Sequence, residues 1–380
     1  MRILIAGGGS GGHILPALAV VRSLRERHAD LEVLWVGGRR GLEATLVPEA
    51  GIPLRRLWLR SLRTVDRSMN LVVDPLRLLA SVPQALALLA RWRPAAIFTT
   101  GGYVAVPVLT AARALGVPSL LWEGNLVPGR SVRATARLAS AVALSFAETG
   151  PALGRQGYLT GTPTRPLAGS DARAARTRLG LLPEDRVLLV FGGSQAVRRF
   201  DDAIDAALPA LVERWTVVHL TGAGGGAAAE RRRLALPEAL RGRYRAPEFL
   251  GAEMADALAA ADVVVGRAGS STLAEVTALG RTLIVVPYPH AAGHQAANAR
   301  VLGDAGAAIV IADEAFHGPA LLSALAGLED PARRAAMAAA SRALGRPGAA
   351  AAVAELVLAL AERRALPSPA AIAAIASGAA

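Results

Sequence analysis

Residues 5–16 read IAGGGSGGHILP, with five glycines around one serine and a histidine closing the run. Glycines let backbone amides approach a ligand closely, and amides at a helix start favour an anion. Gly7, Gly9 and Gly12 satisfy G-x-G-x-x-G between an apolar run and a helical one. A nicotinamide dinucleotide would also need an acidic residue for its ribose about 20 residues on. The second apolar run ends instead in Val36-Gly37-Gly38-Arg39-Arg40, so only an NADP reading through Arg39 or Arg40 survives. His13 is the one titratable group of the loop, and an imidazole suits general-base work near neutral pH. The bland alternative is a histidine that caps or packs against the helix.

Five further segments carry polar groups at the ends of apolar runs. Phe191-Gly192-Gly193-Ser194-Gln195 offers amides and a hydroxyl to a phosphate, or is an ordinary strand–helix turn. Gly266-Arg267-Ala268-Gly269-Ser270-Ser271-Thr272-Leu273-Ala274-Glu275 leads three hydroxyls into a helix. Glu275 follows Thr272 by three, which fits a capping box; it equally fits a carboxylate holding two ribose hydroxyls. In the segment from Pro287 to Asn298, His290 and His294 stand four apart, but Pro289 and Gly293 interrupt any helix between them and no third metal ligand is evident. Gln295 there suits sugar hydroxyls better than a metal. Thr100-Gly101-Gly102-Tyr103 and Trp122-Glu123-Gly124-Asn125 complete the set, with turn chemistry as their plain reading.

Composition excludes several classes. Among 380 residues there is no cysteine, hence no disulfide, thiolate nucleophile or cysteine-ligated metal. All 42 basic residues are arginine, which rules out a lysine-bearing phosphate loop and Schiff-base chemistry on lysine. No G-x-S-x-G elbow supports a hydrolase triad. Net charge is +12, which suits phosphorylated ligands or an anionic membrane, or reflects only a bias toward Arg and Ala. With 4% aromatics and no RNA-binding signature, nucleic acid is not an expected partner. The opening residues lack the pattern of a signal peptide. The longest uncharged stretch, 94–112, contains a Gly pair and a Val-Pro step and reads as strand, turn and helix start rather than a membrane span.

The elements that position these residues alternate as in a parallel sheet covered on both faces. Strands are expected over 2–6, 32–36, 96–99, 119–122 and 141–144, with helices near 16–28, 41–50, 75–91, 106–115 and 130–138. After Gly161-Thr162-Pro163-Thr164-Arg165-Pro166 a second series begins. Its strands fall over 186–191, 216–220, 261–265 and 283–286, and its helices near 201–214, 254–260, 272–279 and 295–305. Two doubly wound domains of this kind would turn the carboxyl ends of their strands, and so the glycine loops, toward one cleft.

In order and spacing, GGGSGGHILPALAV, GLEATLVPEAGI, TTGGYVAVPV, GTPTR, FGGSQ, ADVVVGRAGSSTLAEV and HQAANAR resemble the MurG family of bacterial cell-wall glycosyltransferases, over roughly Ile3 to Arg346. The resemblance implies the GT-B fold, an α/β architecture of two Rossmann-like domains. It implies an N-terminal acceptor and membrane-facing domain (1–163, plus a returning helix over 349–366) and a donor domain (164–346), with 367–380 left as a disordered tail. The activity it implies is inverting transfer of N-acetylglucosamine from its UDP donor to the 4-hydroxyl of the muramoyl sugar of lipid I, with no cofactor and no required metal. His13 would be the base. Leu250, next to Phe249, would pair its backbone with uracil, and Glu275 would hold the ribose. Ser194, Ser270, Ser271, Thr272, Leu273 and Ala274 would surround the diphosphate, with Arg165 nearby. His294 and Gln295 would read the sugar. Ser10, Gly11, Gly12 and Asn125 would close on the donor, the acceptor's diphosphate being the leading candidate for the anion in the glycine loop, while Gly9, Gly101, Gly102 and Tyr103 would meet the acceptor.

The chain departs from the family pattern at two places. Trp122-Glu123-Gly124-Asn125 stands for His-Glu-Gln-Asn, and Ala196-Val197 stands for Gly-Ala after the second glycine loop. The first puts any acid–base role at Trp122 in doubt; the second stiffens or shifts the phosphate loop. A lipid-linked acceptor also implies a peripheral protein at the cytoplasmic face of the membrane, in company with other cell-wall enzymes. The run 71–91, preceded by Arg60, Arg63 and Arg67, is apolar and rimmed by arginine; it would dock on anionic lipid, or be an amphipathic core helix.

Overall fold

In a computed structural model of the 380-residue chain, the residues described are 1–38, 41–59, 70–167, 171–193, 198–290 and 293–379, with backbone only over 70–75. They form two units, Met1–Arg165 with Arg346–Ala380, and Pro166–Gly345.

The first unit runs β1 (Arg2–Ala6), α1 (Gly11–Arg27), β2 (Glu32–Gly37), α2 (Glu43–Glu49), β3 (Leu54–Arg56), α3 (Asn70–Trp92), β4 (Ala96–Thr99), α4 (Ala105–Leu115), β5 (Ser119–Glu123), α5 (Arg130–Thr135), β6 (Ala141–Leu144), α6 (Thr149–Ala152) and β7 (Tyr158–Leu159). The second runs α7 (Ala172–Arg178), β8 (Val187–Phe191), α8 (Arg198–Val212), β9 (Thr216–Leu220), α9 (Gly226–Ala235), β10 (Tyr244–Arg245), α10 (Met254–Ala260), β11 (Val263–Gly266), α11 (Ser270–Ala278), β12 (Thr282–Val285), α12 (His294–Asp304), β13 (Ala308–Val310), α13 (Gly318–Ala326) and α14 (Pro331–Leu344). Helices α15 (Ala349–Ala361) and α16 (Pro369–Ser377) return the chain to the first unit.

The β-branched runs form two wholly parallel sheets, in the orders β3-β2-β1-β4-β5-β6-β7 and β10-β9-β8-β11-β12-β13. Successive side chains point to opposite faces, and both faces are covered. In the second unit Leu188, Val190, Val263 and Val265 enter one core while Val187, Leu189, Phe191 and Val264 enter the other. Ile3, Ile5, Trp35 and Phe98 likewise share a core with Val353, Leu356 and Val357 of α15, so the returning helix is part of the first unit's hydrophobic interior. These are the two doubly wound parallel-sheet domains expected from the alternation, and they fit the GT-B fold that the resemblance implies.

The short edge strands β3, β7, β10 and β13 carry too few apolar residues to stand out in the sequence. The tail is a correction. Residues 369–377 form a helix capped by Ser368, whose Oγ accepts the Ala371 amide at 3.2 Å, and Ile372 and Ala376 are fully buried in the first core. A low-complexity Ala/Ile run reads as frayed only while the surface it covers is unknown.

In each sheet the strand order reverses once, between β1 and β4 and between β8 and β11. Loops at such a switch point diverge to opposite faces and leave a crevice at the carboxyl ends of the strands. The Gly-rich loop after β1 and the Thr100–Tyr103 turn after β4 flank one crevice; the Gly192-Gly193 loop after β8 and the Arg267–Gly269 turn after β11 flank the other.

Candidate active site

The helix after the first glycine loop starts earlier than its proline suggests. Pro favours the first helical position, which points to a start at 16, yet α1 begins at Gly11 with Ser10 as N-cap in extended conformation. Pro16 lies inside and supplies no N–H, so the Gly12 carbonyl loses its helical donor. His13 therefore sits in the first turn rather than capping it. The Ser10 hydroxyl makes no cap bond, and the amides of Ser10, Gly11 and Gly12 have no hydrogen-bond partner among the described residues. Three open donors at a helix start are an arrangement that suits an anion.

The His13 ring is held by one hydrogen bond, Nδ1 to the Thr100 carbonyl at 2.8 Å. A carbonyl only accepts, so Nδ1 carries a proton and the neutral ring presents its lone pair at Nε2. Gly102, in the left-handed region at φ 73°, lies against the Nε2 side, where even an added Cβ would stand 3.8 Å away. The turn that supplies the Thr100 carbonyl is pinned in its turn, since Thr99 Oγ1 donates to Ala6 O at 2.8 Å and accepts the Gly101 amide at 3.2 Å.

Two side chains that motif reading passed over hold the glycine loop in place. Trp35, fully buried, donates from Nε1 to the Gly7 carbonyl at 2.8 Å. Glu43, also fully buried, accepts the Gly9 amide at 2.9 Å and the Gly38 amide at 3.1 Å, with the Tyr103 hydroxyl at 3.4 Å. Burial first, and the Glu43 charge second, push the Tyr103 phenol well above its ordinary value, so it stays protonated and donates. The available signal was the glycine cluster 37, 38 and 41 beside an acid.

Trp122 and Glu123 take structural parts. The Trp122 indole is buried in the core and donates to the Gly161 carbonyl at 3.0 Å, so it offers no acid–base group. Glu123 Oε1 accepts the Asn125 backbone amide at 2.9 Å and its side-chain amide at 3.1 Å; Oε2 accepts the Gly129 amide at 2.9 Å. Glu123 thus shapes the loop that presents Asn125. Arg165 closes the first unit, half-buried and engaged with neighbours.

In the second unit α11 begins at Ser270, with Gly269 as an extended N-cap lacking a side-chain bond. Thr272 is inside the helix, so the capping-box reading of Thr272 and Glu275 does not hold. Ser270, Ser271 and Thr272 are partly exposed, and the Ser271 hydroxyl oxygen is buried with no hydrogen-bond partner. An orphaned buried hydroxyl at a helix start is what a phosphate oxygen would satisfy. Leu273 points into the core and can offer only its backbone, Ala274 is half-buried, and Glu275 is buried and has a partner. The turn before α11 is fixed by Arg267, whose Nη1 donates to Asp313 at 2.5 Å and to the Val286 carbonyl at 3.1 Å while its guanidinium lies over Phe200 and Tyr288.

The remaining donor candidates belong to the second unit. The backbone N–H and C=O of Leu250 make no hydrogen bond among the described residues, and Phe249 beside it is exposed. Gln295 in the first turn of α12 accepts the Tyr288 amide on Oε1 at 2.9 Å, leaving its own amide group to donate. His294 is half-buried and has partners; Asn298, fully buried, ties α12 to the Ala268 carbonyl at 3.2 Å, a link the motif reading did not assign. His290 lies outside α12, and among the described residues no three His, Asp or Glu side chains group as metal ligands. Ser194 and Ala196 lie outside the described residues, as do Arg39 and Arg40. His219, buried on β9 opposite Val190 of β8, is pushed down to about 3 by burial and by Arg232, so it is a much weaker base than an ordinary imidazole.

On α3, Ala85 and Leu89 are buried while Leu76 and Leu79 are 60% and 69% exposed. Arg60, Arg63 and Arg67 lie outside the described residues. Helical residues over 331–361 are apolar and long enough to cross a bilayer, but they turn at 345–348 and 56% of their most apolar window is buried in protein.

Comparison with known proteins agrees over most of the chain. The glycosyltransferase family 28 N-terminal domain matches residues 3–144 and the C-terminal domain residues 187–355. The chain is 41% identical over 360 residues to the UDP-N-acetylglucosamine--N-acetylmuramyl-(pentapeptide) pyrophosphoryl-undecaprenol N-acetylglucosamine transferase of Desulforudis audaxviator, covering 92% of this chain and 95% of that one. It is 39% identical to the enzyme of the same name from Moorella thermoacetica, covering 94% and 98%. The crystal structure of Acinetobacter baumannii MurG superposes with a TM-score of 0.76 at 26% identity, over 94% of this chain and 99% of that one.

Proposed function

This chain belongs to glycosyltransferase family 28, and from that premise we propose that it moves N-acetylglucosamine from UDP-N-acetylglucosamine to the muramoyl 4-hydroxyl of lipid I, giving lipid II for peptidoglycan. The observation that carries the mechanism is the His13 ring, fixed at Nδ1 by the Thr100 carbonyl with no partner for Nε2 among the described residues, in a loop that also carries three unpartnered amides. His13 Nε2 takes the proton of the 4-hydroxyl. The oxygen attacks the anomeric carbon from the face opposite UDP, the bond to the diphosphate breaks, and α becomes β. Negative charge grows on the departing diphosphate. The α11 amides and the hydroxyls of Ser270, Ser271 and Thr272 are assigned to that charge, together with Ser194, so no metal is required. Leu250 pairs its backbone with uracil, Glu275 holds the ribose, Gln295 and His294 read the sugar, and Arg165 and Asn125 assist the donor. The acceptor diphosphate sits at Ser10, Gly11 and Gly12, with Gly9, Gly101, Gly102 and Tyr103 around the acceptor sugar.

Because the acceptor is anchored in lipid, the protein works at the cytoplasmic face of the membrane as a peripheral enzyme, meeting anionic lipid through the α3 region. The test is transfer of labelled N-acetylglucosamine from its UDP donor to a short-chain lipid I analogue in excess EDTA. Label that partitions with the lipid is expected. Transfer only to a different lipid would reassign the acceptor, UDP-sugar binding without turnover would make the chain a scaffold, and loss of transfer on EDTA treatment would overturn the metal-free step.

A further inference from the structure

The loop carrying His13 and the turn that orients its ring come from different strands, β1 and β4, and a third loop, after β2, lies beside them. These strands are neighbours in the order β2-β1-β4. One side chain reaches all three loops. Glu43, 0% exposed at the first position of α2, accepts Gly38 N–H at 3.1 Å after β2, Gly9 N–H at 2.9 Å after β1, and the Tyr103 hydroxyl at 3.4 Å after β4. All three neighbours are donors, which matches an acceptor-only carboxylate. The backbone is cut back to admit it: a Cβ at Gly8 would stand 2.5 Å from Oε1, one at Gly37 2.8 Å from Cγ, and one at Gly41 closer still.

We propose that Glu43 is a positioning residue for the transfer reaction, holding the His13 imidazole in its productive tautomer and place by tying the Gly7–Gly12 loop to the Thr100–Tyr103 turn. The inference rests on the reading of His13 as base, but the device does not depend on it. Gly9 lies one residue before the N-cap of α1, and Tyr103 follows the glycine that lies against the ring. If Glu43 lets go, the two sides of the imidazole are free to move independently, and the 2.8 Å bond from His13 Nδ1 to the Thr100 carbonyl is the first contact at risk. Glu43 also consumes the Gly9 amide, which leaves the anion to the amides of Ser10, Gly11 and Gly12 and so sets where the cradle begins.

Glu43→Gln keeps the shape but turns one acceptor into an N–H group facing a backbone N–H, so either Gly9 or Gly38 loses its partner. Tyr103→Phe removes the third donor to Glu43 along with whatever the hydroxyl gives the acceptor, so for this variant the His13 tautomer signals, taken without acceptor, are the deciding readout. Three readouts are taken on full-length protein: the ring nitrogen NMR signals of His13, which report its tautomer; UDP affinity; and kcat and KM for the lipid I analogue. In Glu43→Gln the Nδ1-protonated signature should give way to a mixture and kcat should fall about 10²-fold, the scale of a 1 Å misplacement. UDP affinity, read by the second unit, should not move. Tyr103→Phe should shift both in the same direction by less, and it carries the test should Glu43→Gln not fold. An unchanged tautomer and kcat in the folded variants would overturn the proposal, as would a loss of UDP affinity in proportion to the loss of turnover. Should the wild-type protein transfer no sugar, the reading of His13 as base fails, while the tautomer signals still decide the role of Glu43.

Discussion

His13 and Glu275 serve opposite ends of the proposed reaction, and their removal should be told apart by measurement. His13, the proposed base, has one nitrogen committed to Thr100 and the other without a partner among the described residues. His13→Ala should keep UDP affinity and lose turnover by about 10²–10⁴-fold, the range for a positioned general base. Glu275, buried on α11, is assigned to the ribose. Hydrogen bonds to charged groups are worth about 1.5–3 kcal/mol. Calorimetry on Glu275→Ala should therefore show UDP bound roughly 10- to 150-fold more weakly; unchanged affinity would reassign the ribose contact. Both residues stood out in the sequence, because a histidine after a glycine loop and an acid after a run of hydroxyls are rare local patterns. Glu43 and Arg267 did not. Their partners come from other strands and loops, and a carboxylate or guanidinium gains meaning only from what surrounds it.

At the scale of elements, the two strand–glycine–helix junctions were legible because strand, loop and helix are contiguous in the chain. The start of α1 was not. Pro16 marks a helix start by local preference, while the five residues before it become helical because Gly7 is held by Trp35 and Gly9 by Glu43. The C-terminal helix shows the same dependence. Its apolar residues make sense only against the first core, where Ile372 is fully buried and the Gly348 backbone lies so close to the Ile375 carbonyl that any Cβ there would collide. Ile372→Ala should cost about 2–5 kcal/mol. A lowered midpoint in chemical denaturation would show it, and a midpoint unchanged from wild type would mean that the tail contributes nothing to the first unit.

For the whole molecule, charge and the exposed leucines of α3 bear on the proposed attachment to the membrane. A net charge of +12 and 60–69% exposure of Leu76 and Leu79 suit attachment to an anionic bilayer without crossing it. The protein should sediment with vesicles containing anionic phospholipid and much less with neutral ones. Raising the salt should release it, each basic residue near the surface contributing about 1 kcal/mol at low salt. Leu79→Glu should weaken the attachment that remains at high salt; equal sedimentation with neutral and anionic vesicles would remove charge from the account.

Sequence by itself determined the alternation of strand and helix, the two parallel-sheet domains and the family, because each depends on contiguous residues: a period, a glycine loop, a run of hydroxyls. It also determined what the protein cannot use, since lysine and cysteine chemistry need those residues. Tertiary structure alone decided which nitrogen of His13 is open, since the Thr100 carbonyl that fixes the tautomer belongs to another strand. It decided that Trp122 is a core residue, that the chain's end is a packed helix, and that one buried carboxylate joins three loops. Each of these rests on groups far apart in the chain, whose meeting is set by the strand order and by how the cores fill.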